Sequence, residues 1–336
     1  MDHTIQFGTY EAATSSLQIV ERKVMLKALP FIRYDYYKDQ QGEYTDDGSI
    51  PFFEYLNSNI QMSIAAGNGR LRSSGTCSHI PGERGRFSGQ VATEDGRIFA
   101  QSLLQNLWVL EQNNECLGTF SEQNIRFRDK MSVLYNVERR KLDLLQLKAN
   151  YKCAKKIIHD AFSKAGPIPD DIEHLLDLME NEFDKRSLFR VHASLWSLSD
   201  RGGMYMRMHE HLKVLSVPQV YQIMCVMGRM KYKIDWRTLV RTNDLLARIY
   251  NSKKPQYAKK NIQGQKAMEY SEGKLFTDYL RNRVAHRMDA YKLGVSYTAQ
   301  GSELAALVRW PMALVTLQYE LHKCKTSGDL NDGELY

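Results

Sequence analysis

The chain has 336 residues, of which 43% are hydrophobic and 25% charged, and it carries a formal charge of +7. These values exclude a disordered, collagenous or coiled-coil chain, and no run reaches the ~18 apolar residues that span a bilayer. The five cysteines follow no CxxC spacing, so neither a disulfide framework nor a cysteine metal site is expected.

In chain order, the start Met1-Asp2-His3-Thr4-Ile5 lacks the basic start and apolar core of a signal peptide, so a cytoplasmic address is expected. Residues 1–100 carry period-2 and turn signals. Phe31 to Tyr37 is rich in strand formers, while Phe87 to Ala92 and Arg97 to Ala100 flank Glu94-Asp95-Gly96, which reads as a hairpin turn. Between them, Gly67 to Gly75 (with Arg70 and Arg72) and Pro81 to Arg86 (with Arg84 and Arg86) form glycine-rich basic stretches. They read as a plain surface loop or, as the functional alternative, one able to close over a phosphodiester chain, without the spacing of a nucleotide-binding loop.

From Ala100 the pattern turns helical. No Gly or Pro interrupts Thr119 to Ala165, and Met131, Leu134, Val137, Leu145, Ile158 and Phe162 recur at helical spacings, which predicts one long helix or two end to end. Gly166-Pro167-Ile168-Pro169 ends that run. An acidic helix with Ile172, Leu175, Leu176, Met179 and Phe183 on one face follows, able to pack antiparallel on its basic predecessor. Further helices are predicted at about 187–199, 204–214, 217–230, 236–251, 271–290 and 302–324. Met204, Met206, Met208, Met224, Met227 and Met230 read as adaptable core. The expected fold is mainly α, a helical bundle at 101–336 with a smaller mixed α/β N-terminal region at 1–100.

The charge is unevenly placed. Between Lys231 and Lys292 stand fifteen basic and six acidic residues, a net +9, so the other residues sum to slightly below zero. A field of one sign on one segment suits phosphate binding, because each Lys or Arg that meets a phosphate releases counterions. Lys253, Lys254, Lys259, Lys260, Arg283 and Arg287 in this segment, with Arg70, Arg72, Arg84 and Arg86 upstream, are the candidate RNA contacts.

Within the same segment, Phe276 to Arg287 contains Arg281-Asn282-Arg283-Val284-Ala285-His286 on a predicted helix. Leu275, Phe276, Tyr279, Leu280 and Val284 form its apolar stripe, while Asp278, Asn282 and His286 recur every four residues on another face. Arg281 and His286 lie about 140° apart on an ideal helix, so both reach one phosphate if the helix begins near Arg281 or the arginine folds back. A helix start there would add its positive terminus to the site.

The Arg-Asn-x-x-x-His pattern resembles the signature of the HEPN superfamily, helical nucleotide-binding domains, over about residues 235–325. The resemblance implies a metal-independent endoribonuclease without cofactor, possessing a site shared across a homodimer and leaving 2′,3′-cyclic phosphate ends, in host defence or toxin biology. His286 is then the acid or base, Arg281 the electrostatic clamp and Asn282 an orienting partner. Of two other Arg-x(4–6)-His spacings, Arg72 to His79 lies in the glycine-rich stretch, and Arg186 to His192 is what a single-chain nuclease would need as its second half. His209-Glu210-His211 lacks the i, i+4 spacing of a zinc site and reads as a surface or interface element. The rival reading is a non-enzymatic RNA-binding nucleoprotein or capsid-like assembly protein with basic residues lining an RNA groove.

Overall fold

A computed structural model describes residues 50–51, 61–64, 70–72, 77–79, 90–128, 131–230, 235–252, 254–257, 262–286 and 299–325. Phe31 to Tyr37 and Pro81 to Arg86 lie outside them. The chain is mainly α, with a small mixed α/β region toward its N-terminal side. β1 (Ile50–Pro51), β7 (Ile125–Arg128) and β8 (Met131–Leu134) form one antiparallel sheet in the order β1-β7-β8. A second runs β4-β3-β2-β5, from β2 (Gln61–Ile64), β3 (Arg70–Arg72), β4 (Cys77–His79) and β5 (Gln90–Ala92). β6 (Glu115–Leu117) pairs with β9 (Arg139–Lys141). Arg70 to Arg72 is therefore strand, where a basic loop is expected from its glycines.

Glu94-Asp95-Gly96 is the first turn of helix α1 (Glu94–Gln112) instead of a hairpin turn. Thr93 caps it by accepting from the Gly96 N–H at 3.0 Å, and Glu94 and Asp95 sit at the positive end of the helix dipole. The four residues Arg97 to Ala100 are too few to separate a period of 2 from one of 3.6. Phe99, Leu103, Leu104, Leu107 and Leu110 bury the helical face that decides it.

The expected long helix from Thr119 is likewise overturned up to its final half: strands β7, β8 and β9 precede α2 (Leu144–Ala165). Asparagines and serines break the chain where Gly and Pro are missing. Ser121 and Asn124 form a capping box on a 3-10 turn, Asn124 Nδ2 donates to the carbonyls of Tyr135 and Asn136, and Asn136 itself adopts φ 51°. Asp143 then caps α2 by accepting from the Gln146 N–H at 2.9 Å.

The acidic helix α3 (Asp170–Asn181) follows, burying Ile172, Leu175, Leu176 and Met179; Phe183 falls just beyond, in a 3-10 turn. It folds back on α2, so that Lys155 near the middle of α2 meets Glu180 near the end of α3 at 3.0 Å. The predicted 187–199 helix reduces to α4 (Arg186–Phe189) and a 3-10 turn at Ala193–Leu195. Then come α5 (Leu198–His211) and α6 (Val217–Arg229). The 236–251 helix divides into α7 (Trp236–Val240) and α8 (Asp244–Ser252), because Asn243 turns its Oδ1 onto the N–H groups of Leu245 and Leu246 and restarts the chain. After α9 (Lys254–Tyr257) runs α10 (Gln265–Ala285), and the 302–324 helix is α11 (Ala299–Leu307) and α12 (Pro311–Lys325), parted where Pro311 can only start a helix.

The helical core gathers around Trp236, Tyr250, Tyr257, Phe276, Tyr279 and Trp310, packed ring against ring at 5.2–6.3 Å. Met208, Met224 and Met227 are buried in it and Met204, Met206 and Met230 pack partly buried against it, as core filling. Helices α6 and α10 approach to backbone contact. A methyl group on Gly228 would overlap the Glu269 carbonyl, and one on Gly273 the Met224 carbonyl. Gly203 on α5, by contrast, faces open space. Gly273→Ala is expected to destabilise the protein by about 3 kcal/mol, since neither backbone can yield without separating the helices. Gly203→Ala should gain up to about 1 kcal/mol from helix propensity. Thermal unfolding of both variants checks the pair, and equal effects would refute the backbone contact.

Candidate functional site

Arg281, Asn282 and His286 stand in the last turn of α10, with His286 as its C-cap. The helix begins at Gln265, so the condition that it start near Arg281 is not met. The motif sits at the carbonyl end, whose partial negative charge opposes an anion. The apolar stripe is as read from the sequence: Phe276, Tyr279, Leu280 and Val284 are buried and Leu275 partly so.

The polar face is already engaged. Asn282 is 8% exposed and donates through Nδ2 to Tyr257 Oη at 2.6 Å. Its Oδ1 accepts from Arg281 Nη1 at 3.0 Å, which folds the guanidinium along the helix. The His286 N–H donates to the Asn282 carbonyl at 2.9 Å, as a capping residue does. Asp278, one turn earlier, faces His209 Nε2 at 3.6 Å, so the His-Glu-His sequence contributes an inter-helix contact between α5 and α10. Among the described residues no three His, Cys, Asp or Glu side chains converge to hold a metal.

The basic candidates separate into distinct environments. Arg283 is 3% exposed; its Nη1 and Nη2 donate to the two Glu303 oxygens at 2.8 and 2.9 Å, and Nη1 also reaches the Ser302 carbonyl. It is a core residue paired with Glu303, an environment the helix pattern could not supply, because Glu303 lies on α11. Arg237, in the same segment, is held by Glu272 in the same two-pronged way. Arg70 and Arg72 lie on β3, opposite His79 and Cys77, and Lys254 opens α9. Arg84, Arg86, Lys253, Lys259, Lys260 and Arg287 lie outside the described residues.

Arg186 and His192 do not form a second half-site. Arg186 donates to Glu111 Oε1 at 2.8 Å, whereas His192 is fully buried and stacked on His174. The pair His174 and His192 went unread in the sequence because two elements bring it together. His192 Nδ1 lies 2.7 Å from Ser194 Oγ and 3.3 Å from the Ser194 N–H, and its Nε2 faces His174 Nδ1 at 2.9 Å. Ser194 is held in turn through its carbonyl by Arg201, which pairs with Asp171 at 2.8 Å, both almost fully buried. Burial, and then the neighbouring His174 and Arg201, put His192 well below the usual histidine range. Burial also lowers His174, against the opposing pull of Asp177, Glu182 and Asp171.

No family model matches the chain, and no curated protein or solved structure was found to be similar to it.

Two outcomes follow from these contacts. Glu303→Gln leaves Arg283 charged and unpaired in the core and should cost about 3–5 kcal/mol, read by urea unfolding. For the histidine pair, the folded-state pKa values are depressed. Below about pH 6.5 the unfolded chain takes up protons that the folded one refuses, so stability is full above that pH and falls as pH drops toward the folded values. Urea unfolding near pH 7.5 and 5.5 should show the wild type losing about 1–2 kcal/mol more than a His174→Gln/His192→Gln double variant. Equal losses would mean the pair is not buried neutral.

Proposed function

We propose that this is an RNA-binding protein whose affinity resides on the basic surface of the segment from Lys231 to Lys292. What supports the reading is the way its described cations divide. Arg237 and Arg283 are neutralised inside the fold, while Arg241, Arg248, Lys266 and Lys274 are exposed and pair with no described carboxylate. Cations left without counter-charge on a surface are what a phosphodiester chain meets with release of its condensed ions.

Cleavage of the bound RNA in the manner of HEPN endoribonucleases is the second reading. The observation in its favour is that Asn282 holds Arg281 one turn from His286, so that a clamp and a proton-transfer group occupy one helix end. Against it stand the negative end of the helix dipole and the commitment of the Asn282 amide to Tyr257. In this reading a homodimer supplies the second motif, since Arg186 and His192 are spent elsewhere.

One assay weighs the two. End-labelled single-stranded RNA is incubated with the wild type and with His286→Ala in EDTA, with bound fraction followed against salt and product ends analysed. Engagement of four exposed cations should give a slope of log affinity on log salt of about −3, with RNA intact and both proteins alike. Cyclic phosphate ends produced by the wild type alone, with affinity kept in His286→Ala, would instead carry the nuclease reading. Absence of binding at low salt removes both.

A further inference from the structure

The antiparallel helices α6 and α10 bear two stripes with a step of four residues. On α6 these are Val217, Tyr221, Cys225 and Arg229; on α10 they are Lys266, Tyr270 and Lys274. Two contacts fix how the stripes lie. The Tyr221 and Tyr270 rings stack at 5.0 Å with 18° between their planes, and Cys225 Sγ reaches the Lys266 carbonyl at 3.6 Å. Moving along the pair therefore passes Lys274 beside Val217, then the two tyrosines, then Lys266 beside Cys225, then Arg229. Each step is one helical turn of about 5.4 Å.

Most of this strip is open to solvent, with Cys225 buried and Tyr270 partly so. Tyr221 is 39% exposed and Val217 82%, Lys266 and Lys274 are exposed, and the Arg229 side chain is 57% exposed although it lies 3.8 Å from Glu269. Beyond the tyrosines, Gly228, Arg229, Gly264, Gln265 and Met268 line an open groove of about 750 Å³. Tyr270 packs partly buried against the helical core, and Tyr221, stacked on it, is the more exposed ring of the two. A stacked pair with one ring exposed offers a π-face on which a third planar ring can continue the stack, and cations one turn away on either side suit the phosphates that flank a base.

We propose that the Tyr221–Tyr270 pair is a base-stacking platform for single-stranded RNA, with Lys266 and Lys274 holding the phosphates on either side. Charge decides for a nucleic acid over an apolar protein segment. The strip alternates cation, aromatic ring and cation, and its one carboxylate, Glu269, is 12% exposed and turned to Arg229 and Gln265. The inference rests on the RNA-binding reading and adds where the strand lies and what part of it is gripped: the base face, with no sequence read from its edges.

The test compares oligouridine with an abasic oligonucleotide of the same length and charge, by fluorescence anisotropy on the full chain. Wild type should bind oligouridine roughly ten-fold tighter than the abasic strand, and Tyr221→Ala should bring the two to the same weak affinity with the salt slope unchanged. Tyr221→Trp should restore the difference. Lys266→Ala and Lys274→Ala should each weaken both strands and flatten the salt slope by ~0.7. Because Tyr221 is exposed, circular dichroism of the alanine variant should match wild type. If the wild type binds both strands equally, and Tyr221→Ala does no harm, the platform is refuted while RNA binding stands. If wild type binds neither strand at low salt, the RNA reading falls and the platform with it.

Discussion

Where α6 crosses α10, backbone meets backbone, and much of the helical region is arranged around that contact. With Gly228 and Gly273 facing opposite carbonyls, the axes come closer than side chains would allow. The close approach lets Ile223, Met224 and Met227 reach the same core as Phe276, Tyr279 and Leu280 on α10. It also brings Tyr221 and Tyr270 into stacking distance on the outer side of the pair. One face of α10 thus belongs to the aromatic core, another is fastened to α6, and its C-terminal turn, where Arg281 and His286 stand, is placed as a consequence of both.

Charge inside the fold follows a second constraint. Three arginines of the described core, Arg201, Arg237 and Arg283, are matched with Asp171, Glu272 and Glu303, and each pair joins different helices: α5 to α3, α7 to α10, and α10 to α11. Such pairs contribute little net stability over an apolar substitute, because desolvation offsets their attraction. What they supply is geometry, since the forked guanidinium accepts a carboxylate in a narrow range of angles. They also change the meaning of the basic composition. Among the described cations between Lys231 and Lys292, Arg237 and Arg283 are internal fasteners and offer no charge to a partner at the surface.

The sequence made legible those elements whose signal is local. The acidic helix α3 was readable because Pro169 and the acids behind it mark its start and Ile172, Leu175, Leu176 and Met179 share a face. Errors arose where the deciding residue was polar. Asn124, Asn136 and Asn243 end or redirect the backbone through side-chain hydrogen bonds, so a search for Gly and Pro passed over the β7–β8 hairpin and the break between α7 and α8. Thr93 did the reverse, turning an apparent hairpin into a helix start. At the candidate site, the spacing of Asp278, Asn282 and His286 on one face was legible. Their partners were not, because Tyr257 and His209 arrive from α9 and α5, and no periodicity within α10 encodes them.

The two features of α10 on which the proposals rest differ in what the fold has already asked of them. In the last turn, Asn282 helps to secure Tyr257, a ring of the aromatic core, and Arg281 leans on Asn282. A ligand that recruited either side chain would have to compete with an existing hydrogen bond and approach a carbonyl end of the helix. In the first half of the helix, Lys266 and Lys274 have no such commitment, and beside them Tyr270 rests on the core while Tyr221 stacks on it from the solvent side. A polyanion therefore meets less resistance at the α6–α10 strip than at the Arg-Asn-x-x-x-His turn. At the turn it is the buried Asn282 amide, bonded to Tyr257, that the fold has claimed, whereas at the strip the Lys266 and Lys274 side chains are exposed.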